Sequence, residues 1–352
     1  MIGISLGGAL CALGGGAHAS PVSDAAAQLS AGQSIKVATT LPASMMSPDG
    51  FNFLQWGSSG VWDPLRREVR YIGKRYSPYP YRWLVYNEAS DSWSANRQLA
   101  SGLSSAQSGH GYDHNTVDPT TGDHYFRSFG STSIYVWNGA WSTLSMPSGS
   151  TDVAASISWV PGYGVVYTDS QRFQYYSGGT WRNINGGNAN IADGSYHSIS
   201  EYNAAANVLI YGAGESGSRL TKWDVQAGTY SVIATPPFNV GSSEAQGVIA
   251  SAPDTDRFVA WRRSSSSWAV YDVSEDTWQS LPQSTGNGSS PQQGAPNLSS
   301  GDLGRAVIGI PISTYGVIMF IQYQEPNASV WLYKVTNTPV IKPSPPSALQ
   351  AN

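Results

Sequence analysis

The chain has 352 residues and a formal net charge of −4, and only 12% of its residues are charged. That balance supplies no basic field to hold a phosphate backbone and argues against nucleic acid as a partner. Aromatic residues also reach 12%, with 13 Trp and 20 Tyr, and 38 Gly and 21 Pro are spread along the chain; this composition suits ringed strands and many turns, not solvated helices or a disordered chain.

The opening segment carries an apolar, Gly-rich run from Ile2 to Gly15 followed by Ala17-His18-Ala19. A run of that length ending in a small-x-small pattern reads as a secretory signal peptide over residues 1–19, because it is shorter than the roughly 20 residues needed to span a bilayer. The single cysteine, Cys11, lies inside it. The exported chain is therefore expected to carry no thiol, no disulfide and no thiolate metal site.

Along the rest of the chain one phrase recurs five times: strand-forming residues ending in an aromatic, a small polar turn, then a second aromatic. Tyr86 leads to Trp93, Trp137 to Trp141, Tyr176 to Trp181, Trp223 to Tyr230 and Tyr271 to Trp278. The second aromatics fall at intervals of 48, 40, 49 and 48 residues, close to the roughly 40–50 of propeller blades. Further strand candidates lie between the phrases, at Val165-Val166-Tyr167, Val208 to Tyr211 and Arg257 to Trp261. Turn signals include Asp63-Pro64, Asp118-Pro119, Pro161-Gly162 and Pro253-Asp254. Four short strands fit each interval, which predicts an all-β, six-bladed propeller of four-stranded antiparallel blades.

The sixth unit, about Asn297 to Val335, has strands at Gly316 to Ile321 and Val330 to Tyr333 but lacks an outer strand. The segment Ser34 to Ala38, followed by Leu41-Pro42, resembles Thr277 to Pro282 and is expected to supply it, closing the ring with an N-terminal strand and removing two edges. The propeller is thereby assigned to residues 33–338. Residues 339–352 read as a stiff Pro-rich linker whose last six residues resemble the start of a fibronectin type III domain.

The paired aromatics of Tyr86 to Trp93 and Tyr271 to Trp278 resemble the kelch motif, the repeat also found in the galactose oxidase central domain. The double glycine typical of that motif is approached only at Tyr211-Gly212-Ala213-Gly214. Copper-radical oxidases of that superfamily need a tyrosine cross-linked to a cysteine, which the exported chain would lack, so the resemblance implies the fold without that cofactor; none is expected.

The densest polar cluster, Gly109 to Asn115, is expected on the inner strand of the second blade, with His110, Tyr112 and His114 on one face and Asp113 on the other. Tyr196-His197 occupies the matching place in the fourth blade, so three imidazoles are expected near the axis, with Arg305 at the start of the sixth inner strand. Such groups would perform acid and base steps, or simply line a wet channel. No spacing here forms a metal signature. The loop bearing Tyr71, Tyr76, Tyr79, Tyr81 and Trp83 with Arg75 and Arg82 is a candidate glycan platform, since sugars stack on rings; the alternative use of those rings is packing between blades.

These readings lead to a secreted, monomeric recognition module that binds carbohydrate or a cell-surface protein on one propeller face. The rival is a polysaccharide lyase acting on uronate glycans, with His110, His114 or His197, Tyr112 and Arg305 as candidate catalytic groups and Asp113, Tyr196, Tyr79, Tyr81 and Arg82 as candidate ligand contacts. A third reading is an adhesion spacer in a multidomain surface protein.

Overall fold

The recurring aromatic phrase folds as a hairpin in every case. In the computed structural model Tyr86 faces Trp93, Trp137 faces Trp141, Tyr176 faces Trp181, Trp223 faces Tyr230 and Tyr271 faces Trp278. Directly opposed residues share a face of the sheet and pack against each other; the ring centroids are 4.7 Å apart for Tyr86 and Trp93 and 5.2 Å for Tyr271 and Trp278. In these two hairpins the tyrosine hydroxyl donates to an aspartate in the turn, Asp91 at 3.0 Å and Asp276 at 2.7 Å. Both aspartates are left-handed, with φ of 45° and 50°, a conformation aspartate adopts more readily than most side chains.

The structure describes residues 20–41, 53–74, 80–95, 97–103, 110–129, 131–150, 155–184, 197–214, 217–240, 247–298, 306–324 and 327–336. The expected signal peptide and the Pro-rich tail lie outside them. Two more strands pair onto each hairpin, so blades one to five are four-stranded antiparallel sheets in chain order. Their inner strands are Val61–Asp63, Asn115–Val117, Ser156–Val160, Ile199–Asn203 and Gly247–Ser251, and that of the sixth blade is Ala306–Ile312. The protein is a six-bladed β-propeller.

Six apolar clusters hold it together, one at each junction between blades. Trp83, Trp223 and Trp261 are fully buried in them. The junction of blades one and two adds charge: the guanidinium of Arg70, fully buried, pairs with Asp63 at 2.6 Å and Glu68 at 2.7 Å beneath the Trp137 ring.

Ring closure follows the expected route. The strand Gln33–Lys36 pairs antiparallel with Asn327–Tyr333, placing Ser34 opposite Tyr333 and Lys36 opposite Trp331. One addition was not expected: the two-residue strand Gln292–Gln293 pairs with the outer side of Gln33–Lys36, so the sixth sheet has five strands. This piece of the connection between blades five and six covers an edge that would otherwise offer unpaired backbone groups. The helix Pro21–Gln28 is a second addition. It starts from a Ser20 capping box with Pro21 in the first turn, and it buries Val22, Ala25 and Ala26 at the junction of blades six and one.

Candidate functional site

All six inner strands run the same way along the axis, so the propeller has an inlet face, where the chain enters them, and a turn face, where it leaves. The sequence cluster sits at the inlet face. The strand begins only at Asn115; the preceding residues are not extended, because Tyr112 is left-handed at φ 38°. The reason lies beneath it. A side chain at Gly111 would place its Cβ 2.0 Å from the hydroxyl of the buried Tyr71, and one at Gly57 would come within 2.2 Å of the same atom. Two glycines let the backbone pass over that ring, and Tyr112 bridges to Gly57 of the first blade beside it.

The turn keeps the expected division of side chains. The Tyr112 ring lies 5.2 Å from His110, 5.2 Å from His114, 5.3 Å from His197 and 5.6 Å from Phe129, centroid to centroid. Trp56, which the sequence reading passed over, joins them 4.0 Å from His110. Three of these ring residues, Trp56, Tyr112 and His197, have φ of 57°, 38° and 64°. Bulky side chains rarely adopt that backbone form, and such residues gather at functional sites because surrounding structure must hold them there.

Two of the imidazoles, those of His114 and His197, are held neutral. Burial pushes His114 well below its ordinary value, and the neighbouring Arg127 guanidinium pushes the same way. Arg127 Nη1 donates to His114 Nε2 at 2.8 Å; because arginine stays charged and has no acceptor, the remaining proton of the ring belongs on Nδ1. Burial lowers His197 to about 4. The Nδ1–H of His110 donates to the carbonyl of Lys74 at 3.1 Å. At neutral pH His114 and His197 are therefore uncharged, and the cluster is a ring-walled surface with its polar atoms partly committed.

Asp113 points the other way, into the axis, and plugs it. Its carboxylate accepts from Ser59 Oγ, from Ser58 Oγ at 3.4 Å and from the Ser200 backbone N–H at 2.5 Å. It thus ties the second blade to the first and to the fourth across the channel. Burial raises its carboxyl to about 7 against the pull of those donors. Below the plug, towards the turn face, lies a cavity of about 230 Å³ lined by residues of all six inner strands or the turns that follow them. Glu201, half-buried on its wall, accepts from the Ser251 N–H at 3.0 Å and hydroxyl at 2.8 Å. Desolvation by the surrounding blades raises this carboxyl to about 8, with Asp113 adding to the shift.

The other sequence candidates separate. Tyr81 is not part of an exposed platform: it is 2% exposed, edge-on to Phe126 at 5.5 Å, with its hydroxyl accepting from Ser128. Tyr71 and Trp83 are likewise buried. Their rings fill the first two junctions, the packing alternative of the two readings. Arg82 lies half-buried at the start of the strand Arg82–Asn87. Tyr79, Tyr196 and Arg305 lie outside the described residues. No group of three or more His, Cys, Asp or Glu among the described residues is arranged to hold a metal ion. Trp56, Arg127 and Glu201 belong to the two axial sites without any motif to announce them; Arg127 alone had a signal, as the last residue of the strand that pairs alongside Asn115–Val117.

No protein-family model and no curated protein matches the sequence. Solved structures do match by shape, among them a chain from a crystal structure of a nidogen/laminin complex, 12% identical, covering 70% of this chain and 92% of that chain with a TM-score of 0.46. A likeness of that degree carries no argument about what either protein binds.

Proposed function

We propose that the protein is an exported recognition module that binds an extracellular glycan or protein on its inlet face, over the cluster of Trp56, His110, Tyr112 and His197. The observation that carries the reading is the convergence of three left-handed ring residues from three different segments on one end of the axis. Holding Trp56, Tyr112 and His197 in that form costs of order 1–3 kcal/mol each, a strain that a purely structural plug has no need to store. Neutral imidazoles beside aromatic rings suit hydroxyl and amide recognition, with stacking on the ring faces. Export rests on the opening apolar segment with Ala17-His18-Ala19. A place among kelch-like propellers rests on the Tyr86–Trp93 and Tyr271–Trp278 hairpins.

A second reading, a lyase for uronate polysaccharides, is favoured by the position of the Tyr112 ring among three imidazoles. One group would remove the proton beside the uronate carboxylate while the glycosidic oxygen leaves. Against it stands His114, whose Nε2 lone pair is already taken by Arg127.

The two are separated by titrating the purified protein with a panel of uronate-containing and neutral polysaccharides while recording the absorbance of unsaturated products. Saturable binding without product, weakened at least tenfold by Trp56→Ala or His197→Ala in a folded protein, supports the recognition module. Product formation lost in Tyr112→Phe supports the lyase and displaces it.

A further inference from the structure

The turn face holds a second site that the inlet-face reading does not use. Its cavity, about 230 Å³, is smaller than the roughly 300–1,000 Å³ of sites for drug-sized molecules. The wall combines Trp62, Trp159 and Tyr202 and the prolines Pro119, Pro161 and Pro253 with serine, threonine and asparagine residues. One carboxylate is set in it, that of Glu201. Its Oε1 is committed to Ser251, while Oε2 has no hydrogen-bond partner among the described residues. Nor does any described Lys, Arg or His pair with Glu201, or with Asp113 at the inner end of the channel.

An ionised Glu201 would have no counter-ion here; protonation removes that cost in the empty site, and a bound cation would remove it in the occupied one. A hard metal ion takes six or more oxygen ligands, carboxylates prominent among them, and no group of three or more His, Cys, Asp or Glu among the described residues is arranged to hold one. An organic cation needs one carboxylate for its charge and apolar or aromatic surface for the rest, the arrangement present here. We propose that this cavity binds a small organic ammonium ion, its N–H groups on Glu201 and its carbon chain against Trp62 and Trp159. The site is at the opposite end of the axis from Tyr112, so neither proposal rests on the other.

Binding should expel a proton. The titratable group facing Glu201 is Asp113 across the channel; Tyr202 also lines the cavity, and among the described residues no Lys, Arg or His does. Burial keeps the empty carboxyl largely protonated at neutral pH; an ammonium ion reverses that preference.

The test is calorimetric titration of the full chain with butylammonium chloride and, in parallel, with butanol, at pH 7 in two buffers of different ionisation enthalpy. The expected result is one saturable butylammonium site releasing close to one proton per ligand, with butanol at least tenfold weaker. Glu201→Gln keeps an oxygen for the two Ser251 donors and should weaken butylammonium at least tenfold without lowering the melting temperature. Any of three results overturns the proposal: no saturable binding up to about 10 mM, equal binding of butanol, or binding by the wild type without proton release. The last readout needs no variant and decides the matter even if Glu201→Gln fails to fold.

Discussion

The indole N–H of Trp93 donates to Thr39 Oγ1 at 2.9 Å, joining the outer strand of the first blade to the segment that follows the closing strand. The same bond recurs around the rim. Trp141 donates to Gln98 O at 3.1 Å, Trp181 to Ser145 O at 2.7 Å and Trp278 to Ala234 O at 2.8 Å, each indole reaching back to the outer edge of the preceding blade. The second tryptophan of the repeat thus has two roles: its ring packs on the opposed aromatic within its own blade at Trp93, Trp181 and Trp278, or on Trp83 of the preceding blade at Trp141, and its N–H fastens that blade to its neighbour. Trp93 does so across the point where the ring of blades is closed.

Removing residues 20–41 should therefore open the ring. It takes away the ladder to Asn327–Tyr333, the Thr39 acceptor and the buried side chains Val22, Ile35 and Val37. The expected loss is several kcal/mol, a drop in melting temperature of roughly 10 °C or more. Ile35→Ala alone should cost about 2–5 kcal/mol in urea unfolding. An unchanged transition in the truncated chain would refute closure by this strand.

The rim bonds can be weighed one at a time. Trp278→Phe keeps a ring against Tyr271 but leaves the Ala234 carbonyl without its donor. A loss of about 1 kcal/mol is expected. Urea unfolding of this variant beside Tyr230→Phe, whose position carries no indole, gives the comparison.

Tyr71 offers a test of the inlet face. Its hydroxyl is buried with no hydrogen-bond partner among the described residues, wedged between Gly57 and Gly111. Tyr71→Phe should be neutral or slightly stabilising, within about 1 kcal/mol, because it removes an unsatisfied polar atom. Gly111→Ala should cost about 1–3 kcal/mol by overpacking and should also abolish ligand binding on the inlet face, since the displaced backbone carries His110 and Tyr112. Chemical unfolding and the polysaccharide titration measure the two effects separately.

Stability should peak near pH 6.5. His197, His114 and His124 all have lowered folded values through burial, so between about pH 4 and the ordinary histidine value near 6.5 the unfolded chain binds more protons at these sites and stability rises with pH. Asp113 and Glu201 act oppositely. Their folded values are raised to about 7 and about 8, so their contribution is fully present below the ordinary carboxylate range and is lost as pH climbs through those values. Below 6.5 the three histidines outweigh the two carboxyls; above it only the carboxyls act. Urea midpoints from pH 4 to 9 should show the maximum, and Glu201→Gln should reduce the fall on its alkaline side. A midpoint that climbs steadily to pH 9 would contradict the burial of both carboxyls.

Much of the architecture was legible because it is local. The pairing of Tyr86 with Trp93 or Tyr271 with Trp278 is set by a turn of a few residues, so the hairpin register follows from spacing alone, and five copies at near-equal intervals with an incomplete sixth unit after them give the blade count. The closing strand could be matched to Thr277 to Pro282 because the ring must end as its other blades do. The helix Pro21–Gln28 and the strand Gln292–Gln293 escaped that logic, since they belong to no repeat and form only against finished edges.

What the sequence determined by itself is the fold: opposed rings a few residues apart, repeated until their apolar faces could be covered only around an axis. What the tertiary structure alone decided is the lining of that axis. Asp113 stood in a conspicuous polar cluster, but Ser59, Ser200, Glu201 and Ser251 are ordinary polar residues in segments that lie tens of residues apart, and no local pattern distinguishes them from surface positions. Only the closing of the ring withdraws them from water, commits their hydrogen bonds across blades and raises two carboxyls together, because the energy of a buried charge depends on everything around it and not on its neighbours in the chain.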